Sequence, residues 1–117
     1  MTEKNRQISK LLEAIMVREL SRLASIKLRR TLVEDFIDAN EQEIQKLRVS
    51  AASENAALWV LADRRLRYLQ ARNQELRTEH AGIAAEMEKQ KLQAAVAVGK
   101  HDAFSRSRVT GPSRYQF

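Results

Sequence analysis

Cysteine is absent from the chain, which excludes disulfides, thiolate nucleophiles and cysteine-based zinc sites. Pro112 is the sole proline, and the three glycines, Gly82, Gly99 and Gly111, all come late. Nothing in the first 81 residues therefore forces a helix to break. Aromatic residues make up 5% of the 117 residues, thin material for a globular core and normal for a long helical protein. No apolar run approaches the roughly 20 residues of a membrane span. The opening Met1-Thr2-Glu3-Lys4-Asn5 leads into an amphipathic pattern and not a secretory core. A soluble cytoplasmic protein is the resulting expectation.

The residues of catalysis are equally scarce. His80 and His101 are the only histidines, and neither has a second histidine or acidic cluster spaced to complete a metal site. There is no glycine-rich phosphate loop. No serine has a neighbouring histidine and carboxylate to activate it. The expectation is a non-enzyme with no cofactor and no metal.

What the chain does have is periodicity. In alternating steps of three and four, Trp59, Ala62, Leu66, Leu69, Asn73, Leu76, His80, Ile83, Met87, Gln90, Ala94 and Ala97 form a stripe in which nine of twelve positions are apolar. Upstream, Leu12, Met16, Glu19, Leu23, Ile26, Arg30, Val33, Ile37, Asn40, Ile44, Leu47 and Ala51 do the same, again with nine apolar. A 3.5-residue repeat stays on one line of a helix only if that helix supercoils around a partner. The two stripes differ in phase, because Ala51 and Trp59 are eight residues apart where a heptad needs seven. The slip falls in the small, polar run Ser50 to Ala56.

Folding the chain back at that point predicts an all-α, two-helix antiparallel coiled-coil hairpin. Its helices would cover about residues 6–50 and 56–98, joined by a turn at about 51–55. Each would run roughly 65–70 Å at 1.5 Å per residue, which makes the molecule a rod. A single long helix that dimerises is the alternative. Folding about residue 53 sets Leu47 near Trp59, Ile37 near Leu69 and Leu23 near Ile83. It also sets Ile26 near His80 and Glu19 near Met87. Asn5 or Ser9 is a suitable cap for the first helix, and Ser53 or Asn55 for the second. Asp38-Ala39-Asn40-Glu41 resembles a capping box, but the heptad phase runs through it, which favours helix interior. Asn40 and Asn73 then serve as register devices. Gly82 either permits a close approach or is simply tolerated. Gly99 is a natural stop, after which residues 99–117 read as a disordered basic tail, with Phe104, Tyr115 and Phe117 as possible anchors.

The formal charge is +6. It divides into +2 for residues 1–49, +1 for 50–98 and +3 for the last nineteen. Half of the excess thus lies in the tail, and the helices are nearly balanced. Nucleic-acid-binding helices usually concentrate basic charge without matching acids. Here Lys27, Arg29 and Arg30, and then Arg64, Arg65 and Arg67, have Glu34, Asp35, Asp38, Asp63 and Glu75 close by. Binding nucleic acid through the basic tail remains a rival reading, and a homodimeric structural coiled coil is another.

The first helix carries more apolar residues than one seam needs. Leu11, Ile15, Leu20, Leu28, Leu32 and Phe36 lie beside the stripe. They belong either to a broad buried face or to a second contact surface for another protein.

Residues Trp59, Arg67-Tyr68-Leu69, Asn73-Gln74-Glu75-Leu76 and the run Glu86 to Lys91 resemble the second helix of the FliJ/YscO-like family of flagellar and virulence-system type III export proteins. The ending Ala94 to Lys100, with Asp102-Ala103-Phe104, is similar to the alanine-rich close of some members. The resemblance implies a non-enzymatic antiparallel coiled coil, like the central stalk of rotary ATPases. It implies partners in the export ATPase ring and the membrane export gate, and a cytoplasmic place that can be peripheral at the inner face of the cell membrane. Leu20, Leu28, Leu32 and Phe36, with the basic group Arg64, Arg65 and Arg67, are the expected partner-binding residues.

Overall fold

The computed structural model describes residues 2–50 and 55–114, those from 108 onward by helical backbone alone. The chain is all-α, with α1 at Glu3–Ser50 and α2 at Ala56–Arg114, paired as a two-helix antiparallel hairpin. Two compact units are distinguished. An inner unit comprises Leu28–Ala85, and a terminal unit joins Met1–Lys27 to Glu86–Phe117.

Capping residues set the helix starts. The Asn55 side-chain oxygen accepts from the backbone N–H of Ala57 at 3.0 Å and of Leu58 at 3.3 Å, so Asn55 caps α2 as its residue type suggests. Ser53 and Ala51 lie outside the described residues. At the other start, Thr2 is the cap instead of Asn5 or Ser9. Its hydroxyl accepts from Asn5 N–H at 3.2 Å, and α1 therefore begins three residues earlier than the apolar pattern requires. No break occurs at Asp38–Glu41, and α1 is continuous through it.

Gly99 is not a stop. α2 passes through it to Arg114, and no described glycine has a positive φ. The expected tail is thus helical backbone from 99 to 114, while Tyr115 and Phe117 lie outside the described residues. A helical glycine costs only about 1 kcal/mol relative to alanine. Half-buried His101 and Phe104 lie on the far side of it, so packing resumes beyond the weak point.

The core of each unit is a line. In the inner unit the buried apolar residues are Val33, Ile44, Leu69, Leu76 and Ile83, and in the terminal unit Ile26, Met87, Ala94 and Ala97. Every one of them lies on the two stripes. So do the buried polar residues Glu19, Asn73 and Gln90. By contrast Leu11, Leu20, Leu28, Leu32 and Phe36 are exposed. Ile15 is half-buried, so of the six surplus apolar residues of α1 five do not widen the core.

Register in the inner unit follows its polar residues. Asn40 Nδ2 donates to Asn73 Oδ1 at 2.9 Å. Asn73 Nδ2 in turn donates to Glu41 Oε1 at 3.3 Å and to the Ile37 carbonyl at 3.4 Å. A fold about residue 53 would have set Asn40 against Leu66, one heptad short of Asn73. The actual pairing satisfies both amides, and leaving a buried amide unpaired costs about 1–3 kcal/mol. Arg77 closes on Glu41 beside this layer. The terminal unit has its own polar layer. Gln90 Nε2 donates to Glu19 Oε2 at 2.6 Å and to the Glu19 carbonyl at 3.0 Å, so the polar partner of Glu19 is Gln90.

The heptad shift has a consequence at the start of α2. With Asn40 level with Asn73, the position facing Trp59 falls beyond Ser50, the last residue of α1. Trp59 lies 47% exposed there.

Candidate partner-binding surface

Because the stripes are taken up by the seam, exposed Trp59 excepted, most of the surface available to a partner comes from the other helix faces. In the inner unit Leu28, Leu32 and Phe36 follow one another at intervals of four, so they share one face of α1. All three are exposed, Phe36 at 61%. Phe36 also borders a groove completed from α2 by Arg65, Tyr68 and Arg72, with Asn40, Leu69 and Leu76 also lining it. Leu20 is exposed too, but it belongs to the terminal unit.

The three arginines have different fates. Arg65 forms a two-pronged bond to Glu43, Nε to Oε1 at 2.9 Å and the second nitrogen to Oε2 at 3.3 Å. It also lies over the Tyr68 ring, 5.3 Å from its centre, a cation–π arrangement. The Glu43 carboxyl is held below its ordinary pKa, first by this hydrogen bond, and Arg65 is raised for the same reason. Arg67 pairs with Asp63 one turn earlier at 3.1 Å. Arg64 is exposed and makes no ion pair with the described residues. The structure therefore brings Phe36 and Arg65 to one groove and leaves Arg64 and Arg67 on the helix exterior.

Tyr68 and Arg72 were not among the residues expected from sequence. Tyr68 is exposed, and Arg72 is anchored to Glu75 at 3.0 Å. The available signal was their spacing from Arg65, since residues three and seven positions apart share a helix face. A further group was also missed. Val49 at the end of α1, with Leu58, Trp59, Val60 and Leu61 at the start of α2, is an exposed apolar cluster.

Two carboxylates near the seam complete the electrostatics. Glu34 Oε1 accepts from Arg30 Nε at 3.0 Å and lies 2.9 Å from His80 Nε2. Its carboxyl is held below the ordinary value, chiefly by the His80 hydrogen bond and then by that of Arg30, against a smaller opposing effect of burial. Glu19 is likewise lowered. The Gln90 hydrogen bond is the largest cause, burial opposes it, and Arg22 and Arg18 reinforce it. Among the described residues no three acidic or histidine side chains are grouped to hold a metal, and no helix is long and apolar enough to cross a membrane.

No family model, curated protein or solved structure matches this chain.

Proposed function

We propose that this protein is a non-enzymatic coiled-coil stalk or adaptor of a flagellar or related type III protein export apparatus, contacting the export ATPase ring and the export gate. The observation that carries the adaptor part is the exposure of Leu28, Leu32 and Phe36 beside a seam that is already complete. Exposed apolar and aromatic residues bordering a groove, with fixed arginines at its rim, suit the centre of a protein interface, where aromatics and arginine are enriched. The particular machine rests on the likeness of Trp59, Arg67 to Leu69, Asn73 to Leu76 and Glu86 to Lys91 to the FliJ/YscO-like second helix.

The test is capture of a purified export ATPase by the full chain in moderate salt. Phe36→Ala is expected to weaken retention about tenfold or more, the scale of a hot-spot residue, while helicity is unchanged. Retention equal to that of the unaltered chain would reject the site, and no capture at all would reject the assignment to this machine.

The same exposed residues favour one second reading, a homodimer in which a second copy covers Leu28, Leu32 and Phe36. It requires a melting temperature that rises with protein concentration, whereas the adaptor reading requires none. Nucleic acid is the weaker reading. It is placed on the basic residues 99–117, and on the inner unit Arg65, Arg67, Arg72 and Arg77 are matched to Glu43, Asp63, Glu75 and Glu41, which lowers the attraction for phosphates there.

A further inference from the structure

We propose that the start of α2 is a membrane-contacting tip, which seats Leu58, Trp59, Val60 and Leu61 in the interfacial layer of a bilayer that carries anionic lipid. Three observations point to a lipid surface. The first is shape. Four consecutive residues, each turned about 100° from the last, encircle a helix completely. All four are exposed, together with Val49 at the end of α1. A protein groove takes one face of a helix, through residues spaced three and four apart. An apolar medium entered by the helix end covers every side at once.

The second observation is the residue type at the centre. Tryptophan concentrates at membrane–water interfaces, where its ring is buried and its N–H stays near the headgroups. Trp59 is the chain's only tryptophan, and it lies 47% exposed in the first turns of α2.

The third is charge. Residues 46–67 contain five basic side chains and two acidic ones. Of these side chains Arg67 is tied to Asp63 and Arg65 to Glu43, which leaves Lys46, Arg48 and Arg64 against Glu54. Arg48 and Arg64 flank the cluster, are exposed and form no ion pair with the described residues. An apolar group with basic side chains behind it has the make-up of segments that lie in the surface of an anionic bilayer. The site is independent of the groove at Phe36 and of the proposed export role.

Trp59 itself reports the outcome. The full-length chain is mixed with vesicles of phosphatidylcholine alone, or of phosphatidylcholine with phosphatidylglycerol. Tryptophan emission is expected to shift to shorter wavelength and to be quenched by lipids brominated on the acyl chain, more strongly on the anionic vesicles and less as salt is raised. Leu61→Asp and Leu58→Asp are expected to lower the bound fraction about tenfold or more, given the value of burying one leucine. Helicity by circular dichroism should be retained, since both sites are already exposed. Arg48→Gln with Arg64→Gln should remove the preference for anionic vesicles. Leu92→Asp, at an exposed leucine of the terminal unit, should leave binding unchanged. Absence of any shift or quenching would overturn the proposal. So would an equal loss from Leu92→Asp, or a blue shift that depends on protein concentration without vesicles, which would assign the cluster to self-association.

Discussion

The inner and terminal units are each built on a seam, from different materials. The inner unit closes on branched aliphatic side chains, Val33, Ile44, Leu69, Leu76 and Ile83, and its polar layer is a neutral amide pair, Asn40 with Asn73. In the terminal unit Ile26 and Met87 give way along the seam to Ala94 and Ala97, and its polar layer buries a carboxylate, Glu19, against Gln90. Hydrophobic stabilisation scales with apolar area removed from water, so the inner unit gains more per turn. Opening free energies differ between regions of one protein for this reason. Amide exchange should accordingly be slower in the inner unit, and the terminal unit should be the one that responds to acid.

The most direct way to break that contrast is to remove an inner aliphatic. Leu69→Ala is expected to cost about 2–5 kcal/mol, because Leu69 is only 2% exposed. Denaturant unfolding gives the loss, and exchange of inner amides should rise toward the terminal rates. The amide layer comes next. Asn73→Leu leaves the Asn40 side chain facing an apolar group and should cost about 1–3 kcal/mol. Replacing both asparagines with leucine should recover that loss but relax the register, since a polar seam residue penalises wrong alignments at some expense of stability.

Acid separates the units differently. The Glu19 carboxyl has a lower pKa folded than its ordinary value of 4.5. Its contribution is therefore present above that value and lost as pH falls through the lowered folded one. Glu34 and Glu43, in the inner unit, are shifted in the same direction. Their side chains are 41% and 42% exposed, so solvent screens them and added salt weakens them further. Exchange measured at pH 7 and below pH 4 should thus show the larger acid response in the terminal unit. Gln90→Leu removes the largest cause of the Glu19 shift and should reduce that response.

The smallest expected effects come from the glycines. A methyl group added at Gly82 or Gly99 meets nothing within 4 Å, and neither has a positive φ. Gly82→Ala and Gly99→Ala should each stabilise by about 1 kcal/mol or less. Exchange should slow around residue 82 in the first case and around residue 99 in the second.

Helix identity and the buried line were legible in the sequence because a 3.5-residue stripe has one geometric interpretation. Each buried residue, including charged Glu19, was on a stripe. The register was not legible from that repeat, since sliding by one heptad leaves every apolar residue on the seam. Only the polar residues distinguish the alternatives, and Asn40 had to be matched to Asn73 instead of to the midpoint of the chain. Gly99 misled because a single weak helix former gives a propensity, which half-buried His101 and Phe104 outweigh. Among the candidate site residues, Leu20, Leu28, Leu32, Phe36, Arg64, Arg65 and Arg67 were equal in sequence, and only the structure sets Phe36 and Arg65 on one groove. Their neighbour Tyr68 depended on which faces α1 and α2 turn to the same side, and that is fixed only by the register.

The absence of native cysteine allows the register to be read without interference. In the full-length chain carrying Glu43→Cys and Arg65→Cys, which keeps Asn40 and Asn73 and replaces a bonded pair across the seam, a short thiol-specific cross-linker should join the two positions within one molecule, much faster than in a chain carrying Glu43→Cys and Leu58→Cys. Faster linking of the 43–58 pair, or links formed only between separate molecules, would contradict the hairpin register from which the groove and the exposed tip both follow.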